Sequence, residues 1–213
     1  LLYWDMRTKT VRAAVQDERY TSYRKMVDVS DAKVVWAVEE QGVFVHTAMG
    51  EQMLPIPEQL INQPALFNPR DVAIVGAEIW LSTDGAGLWR WNGENWFQYT
   101  KTDPQQGLVT DQFYNITRIH EKLWVGSFNG GVALVPLETS IVKPIRKPSR
   151  FIYTSIQSAL TLQEVGNELW VGFDGEGLVR YGWGQDALLP LDFELEERPR
   201  VITSSYWNSA NEV

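Results

Sequence analysis

The sequence has no cysteine, which excludes disulfides, thiolate metal sites and cysteine nucleophiles. It has two histidines, His46 and His120, too few for an imidazole-based metal centre. Each falls at a strand end or in a turn, where an ordinary surface residue is expected. Basic residues are scarce: 19 Lys and Arg against 27 Asp and Glu leave a net charge of -8. A chain of that sign is not built to neutralise nucleic-acid phosphates or an anionic membrane. No apolar run approaches the roughly 18 residues of a transmembrane helix, and no basic segment followed by an apolar one marks a signal peptide. Gly-x-Ser-x-Gly, P-loop and His-Glu-x-x-His patterns are missing. So the expectation is no catalytic group, no metal and no cofactor. The first residue is not Met, and the reading is of a stretch taken from a longer chain.

What is abundant is tryptophan, ten in 213 residues. Four of them organise the chain, in VVWAVEEQGVFV around Trp36, EIWLSTDGAGLW around Trp80, KLWVGSFNGGVA around Trp124 and ELWVGFDGEGLV around Trp170, spaced by 44, 44 and 46 residues. An aliphatic residue (Val35, Ile79, Leu123 or Leu169) precedes each Trp, and seven residues later stand Val43, Gly87, Gly131 and Gly177. Within the second copy, Val72–Val75, Ile79–Ser82, Leu88–Trp91 and Trp96–Tyr99 read as short strands. Gly76, the Asp84–Gly87 segment and Asn92-Gly93 are the turns between them. Four antiparallel strands in about 44 residues are a propeller blade.

The fold expected is therefore all-β: a propeller of four-stranded antiparallel blades, partial here and belonging to a larger ring of about seven. It forms one domain over residues 1–213, with partial blades at 1–16 and 200–213 and blades at about 24–60, 70–100, 112–145 and 157–192. The stretch from Ser140 to Ser155, with Lys143, Arg146, Lys147 and Arg150, reads as an irregular, solvated loop.

The third copy resembles the two-component regulator propeller repeat, in Gly107-Leu108, Asp111, Tyr114-Asn115-Ile116, Leu123-Trp124-Val125-Gly126-Ser127 and Asn129-Gly130-Gly131-Val132. The second copy carries the tail Trp91-Asn92-Gly93-Glu94-Asn95-Trp96, and the fourth Leu169-Trp170-Val171-Gly172. The first departs most from the pattern, with Ala37 and Val43 replacing its Gly. The resemblance implies seven-bladed sensor propellers, often periplasmic parts of hybrid histidine kinases and commonly responsive to glycans, or free-standing extracytoplasmic binding and scaffold proteins. Two alternatives remain open beside the non-catalytic binding module: an assembly subunit, and a propeller-fold polysaccharide lyase or glycosidase. The implied partners are a carbohydrate or small molecule, or a protein; an oligomer or larger assembly is compatible.

Candidate binding residues follow from the blade geometry, which sets all the mid-blade hairpins on one face. Four residues past each Trp lie Glu40, Asp84, Phe128 and Asp174, joined by Glu39, Asn129 and Glu176. The crossings between blades open on that same face and bring Tyr114, Tyr153 and Trp207, among other aromatics. Carboxylates, an amide and aromatic rings suit a pocket with a few polar groups. Asp-Gly and Asn-Gly are also simple turn chemistry. Ser82-Thr83-Asp84-Gly85 begins like a sialidase Asp-box but has Ala86 where Gly is needed.

Overall fold

The computed structural model describes residues 2–5, 10–13, 23–30, 33–38, 42–47, 49–57, 60, 68–103, 108–119, 121–137, 143–144, 157–182, 187–191 and 200–203. A two-stranded antiparallel pair, β1 (Leu2–Asp5) and β2 (Thr10–Ala13), comes first. Four sheets of four strands follow. The first holds β3 (Tyr23–Ser30), β4 (Lys33–Val38), β5 (Gly42–Thr47) and β6 (Gly50–Met53). The second holds β7 (Pro69–Val75), β8 (Glu78–Thr83), β9 (Leu88–Trp91) and β10 (Trp96–Tyr99). The third holds β11 (Phe113–Ile119), β12 (Lys122–Ser127), β13 (Gly131–Pro136) and β14 (Lys143–Pro144). The fourth holds β15 (Ala159–Val165), β16 (Glu168–Phe173), β17 (Gly177–Gly182) and β18 (Ala187–Pro190). In every sheet the strands follow chain order and neighbours run antiparallel. First strands of successive sheets lie against one another: β3 on β7, β7 on β11, β11 on β15. The sheets therefore radiate from a line of first strands, as the blades of a β-propeller do.

Successive side chains on a strand point to opposite faces, and this gives the Trp motif its work. Ile79 packs into the core between the first and second sheets, whereas Trp80, one residue on, packs into the core between the second and third. Leu123 and Trp124 divide in the same way between the next two cores. Trp80 and Trp124 are wholly buried. Trp80 stacks on Tyr99 at 5.4 Å, and Trp124 meets Tyr181 edge-on at 4.5 Å. Glu78 accepts from the Trp80 indole and pairs with Arg90 across the sheet; Glu168, Trp170 and Arg180 repeat the arrangement in the fourth sheet.

The register corrects two expectations about the first copy. Counting back from the residue paired with the hairpin glycine, Val38↔Gly42 corresponds to Ser127↔Gly131 and Phe173↔Gly177. Val35, not Trp36, then occupies the place of Trp80, and Val35 is fully buried in the core shared with the second sheet. A one-residue slip reverses the faces of a strand, so alignment on Trp36 inverts the blade. The hairpin glycine is present after all, as Gly42 with φ 144°, and Val43 is the core residue after it. The third sheet also holds a difference. Lys143–Pro144, expected in a loop, pairs with Ala133 and Leu134 as the outer strand. Two residues are too short a stretch for a sequence pattern to mark.

A bulge recurs near the start of each first strand, where the pairing register shifts between Tyr23 and Lys25, Pro69 and Asp71, Phe113 and Asn115, and Ala159 and Thr161. The residue after the bulge faces Ala37, Ser82, Gly126 or Gly172 on the second strand. This explains the glycine of the Trp-Val-Gly motif. A methyl group on Gly126 would run into the Asn115 amide, and one on Gly172 would meet Thr161 Cγ2 at 2.5 Å and Ile202 Cγ2 at 2.7 Å.

Candidate functional site

The mid-blade hairpins of the second, third and fourth blades are docked on the crossings that lead to the next blade. Gly85 and Gly87 N–H donate to the Asp111 carbonyl at 3.1 and 2.9 Å. Gly131 N–H donates to Gln157 O at 3.0 Å, and Gly175 and Gly177 N–H donate to Arg200 O at 2.8 and 2.7 Å. Hairpins and crossings thus share one face, as the propeller geometry requires.

In the second, third and fourth blades the bulges aim one further residue at this face, a common use of a bulge. These residues are Arg70, Tyr114 and Leu160, and each corresponds to a hairpin residue fourteen positions on: Asp84, Phe128 and Asp174. In the second blade the match is an ion pair, Arg70 with Asp84, and the other Asp84 oxygen accepts from Gln112 Nε2 at 3.0 Å. In the third it is a ring pair, Tyr114 edge-on to Phe128 at 5.9 Å and 90°. In the fourth the corresponding positions hold Leu160 and Asp174, an alkyl group where the second blade has a guanidinium.

Tyr114 stands between these pairs. Partial burial lifts its phenol above the usual tyrosine range; the Asp84 carboxylate adds to the rise, Arg70 partly offsets it, and Asp174 adds again. One aromatic residue therefore feels acids from two blades.

Beside Tyr114 a cleft of about 270 Å³ opens between β11 and β15. Tyr114, Asn115 and Thr117 line one side, Leu160, Thr161 and Leu162 the other, with Asp71 at its edge. The residues after the bulges account for its place. Buried Asp71 joins β7 to β11: one oxygen accepts from Val72 N–H at 2.7 Å and the other from Ile116 N–H at 2.9 Å. In the next blade Asn115 replaces the acid and donates to Ala159 O at 3.3 Å. The side-chain bond that crosses from β7 to β11 is thus charge-assisted, whereas the one that crosses from β11 to β15 is not.

The residues expected at the site divide as follows. Asp84, Tyr114, Asn129, Asp174 and Glu176 are all on the hairpin–crossing face. Asp84 belongs to the Arg70–Gln112 latch. Asn129 is a turn residue at φ 51° whose N–H donates to Ser158 Oγ at 3.1 Å. Asp174 is exposed, its N–H donating to Ser158 O at 3.0 Å, and Glu176 is half-buried in the same hairpin. Glu40, Tyr153 and Trp207 lie outside the described residues; counting on from Val38, Glu39 rather than Glu40 corresponds to Asp84. Sequence reasoning missed Arg70, Gln112, Leu160 and Asp71. A signal existed: Arg70, Tyr114 and Leu160 each stand ten residues before a motif Trp. Among the described residues no group of three or more His, Asp or Glu could hold a metal ion, and no helix is long and apolar enough to cross a membrane.

No family model matches the chain. A histidine kinase of Formosa agariphila is 26% identical over 121 residues, 55% of this chain and 9% of the kinase. Among solved structures, the extracellular domain assigned to a one component system of B. thetaiotaomicron superposes with a TM-score of 0.65 at 17% identity, over 85% of this chain and 24% of that one. The extracellular domain assigned to a hybrid two component system of the same organism gives 0.61 at 19% identity, over 80% and 24%. YCF48 from Cyanidioschyzon merolae gives 0.52 at 11% identity, over 81% and 60%. The chain thus spans about a quarter of the sensor domains it superposes on. In its repeats and in its fold, the chain is similar to the propellers of two-component regulators.

Proposed function

We propose that this propeller is a non-catalytic binding module of an extracytoplasmic sensor, and that its ligand meets the face carrying the hairpins and blade crossings. The observation that carries the reading is the cleft beside Tyr114, between β11 and β15, where aromatic, amide and hydroxyl groups converge. Placed polar groups of this kind fix the orientation of a ligand. The likeness to extracellular sensor domains supports the compartment and the role. Binding is expected with little change of shape, because blades held by buried cores present their loops on a rigid frame.

The test is a ligand screen by thermal shift on the protein and on its Tyr114→Ala and Phe128→Ala variants, with parallel assay of polysaccharide turnover. A compound that raises the melting temperature of the parent protein and not of the variants supports the reading. A ligand indifferent to both substitutions places the binding surface elsewhere, and turnover lost in Asp84→Ala or Asp174→Ala makes the protein an enzyme.

A further inference from the structure

Asparagine or aspartate followed by glycine is the sequence in which a backbone amide most easily attacks the preceding side chain, because glycine leaves that amide unshielded. The described residues hold four such pairs: Asp84-Gly85, Asn92-Gly93, Asn129-Gly130 and Asp174-Gly175. The fold engages three of them. Gly85 and Gly175 N–H donate to the Asp111 and Arg200 carbonyls at 3.1 and 2.8 Å. Gly130 is half-buried, where a methyl group would meet Ser127 Oγ at 2.5 Å and Thr110 Cγ2 at 2.8 Å. Asn129 is tied to Ser158 Oγ through its N–H at 3.1 Å and its side-chain oxygen at 3.4 Å.

Asn92-Gly93 is different. Residues Asn92 to Asn95 form the loop between β9 and β10, at the end of β9 away from the Asp84–Gly87 hairpin. All four are exposed, and Gly93 N–H makes no hydrogen bond among the described residues. Asn92 closes the loop. Its N–H donates to Asn95 O at 3.2 Å, and its Oδ1 accepts from Glu94 and Asn95 N–H at 3.0 and 2.8 Å. Two backbone donors on one carbonyl oxygen stabilise the negative charge that develops when that carbonyl is attacked. The side-chain amide is therefore polarised beside an unengaged backbone N–H.

We infer that Asn92-Gly93 is a site of self-modification, where the folded chain converts asparagine to aspartate and isoaspartate. Gly93 N loses its proton and bonds to Asn92 Cγ; the Cγ–Nδ2 bond breaks, and the nitrogen leaves with that proton as ammonia, giving a cyclic imide. Water opens the imide at either carbonyl. One product is an aspartate with the ordinary backbone, which keeps an acceptor for Glu94 and Asn95 N–H. The other is an isoaspartate, which lengthens the backbone by a methylene between the paired Trp91 and Trp96. Trp96 Nε1 donates to Pro55 O at 2.6 Å, and Trp91 packs in the core between the first and second sheets. The isoaspartyl form should therefore loosen the second blade from the first.

The experiment incubates the folded protein and the urea-unfolded chain in mildly alkaline buffer and follows both Asn-Gly pairs by peptide mass mapping, with enzymatic methylation to detect isoaspartate. In urea both pairs should convert. In the folded protein Asn92 should lose its amide no more slowly than in urea, while Asn129 is retained. Asn92 slower in the folded protein than in urea overturns the inference, and so does Asn129 converting as fast as Asn92 in the fold. The consequence is read separately: the isoaspartyl fraction should melt below the parent protein, and Asn92→Asp should melt with it. Equal melting of the isoaspartyl fraction and the parent overturns the proposed loosening between the blades.

Discussion

At the scale of single residues, two positions show how a side chain can be required by what faces it. Gly172 is not at a turn; it is mid-strand, beneath Thr161 and Ile202. Gly172→Ala forces a methyl group into contacts of 2.5 and 2.7 Å. Overpacking of this kind costs about 1–3 kcal/mol, to be read as a lower urea midpoint. Tyr114 is the second position. Its phenol holds its proton more tightly in the folded protein than in the unfolded chain, because burial and Asp84 disfavour the phenolate. Any stability it contributes is therefore complete below the ordinary tyrosine pKa and is lost as pH rises through the higher folded value. Difference absorbance against Tyr114→Phe should show a late phenolate transition. Asp84→Asn should bring it to lower pH and Arg70→Ala should delay it further; a midpoint unmoved by Asp84→Asn contradicts the assignment of cause. Tyr114 was legible as a candidate because an aromatic near a blade crossing stands out. Arg70 was not, because its partnership with Asp84 depends on a bulge, and a bulge is a property of the pairing between two strands.

Elements add information that no single strand carries. The four-stranded sheet of the second blade could be read from alternation and Gly-rich turns almost to the residue, since Gly76, Gly87 and Gly93 adopt the positive φ that those turns demand. The first blade could not, because Trp36 and Val35 are equally good strand residues and only cross-strand register decides which faces the next sheet. Between elements the decisive contact is Asp71. Replacing it by Asn keeps the shape but turns one acceptor into a donor, facing either Val72 or Ile116 N–H. A buried hydrogen bond to a charged group is worth about 1.5–3 kcal/mol, so Asp71→Asn is expected to cost about that much. It should also speed amide exchange of Ile116 relative to Val125 on the neighbouring strand. Asn115→Asp tests the neighbouring contact: it replaces the donor to Ala159 O by an acceptor, and the repulsion between the two oxygens should weaken the packing of β15 on β11, read as a lower urea midpoint.

For the whole molecule, stability resides in the spaces between sheets. Each of the three buried clusters is shared by two adjacent sheets, and Trp80, Trp89 and Trp124 are among the largest side chains in them. Repeat architectures of this type behave as sums of unit stabilities and nearest-neighbour interfaces. A defect should therefore be felt across one interface and fade at the next. Trp80→Ala removes the stacking on Tyr99 and empties the cluster that also holds Phe113, Ile116, Leu123 and Val125. Truncating a buried Trp typically costs about 3–5 kcal/mol. Hydrogen exchange should accelerate in β7–β9 and β11–β13, with β16 and β17 changing much less, because their side chains pack in a different cluster. Trp124→Ala should give the displaced pattern, sparing β4 and β5. Uniform acceleration through all four sheets in both variants would mean that the propeller unfolds as one cooperative body, and that the fixed frame on which the cleft depends is set by the whole ring of sheets rather than by the two that border it.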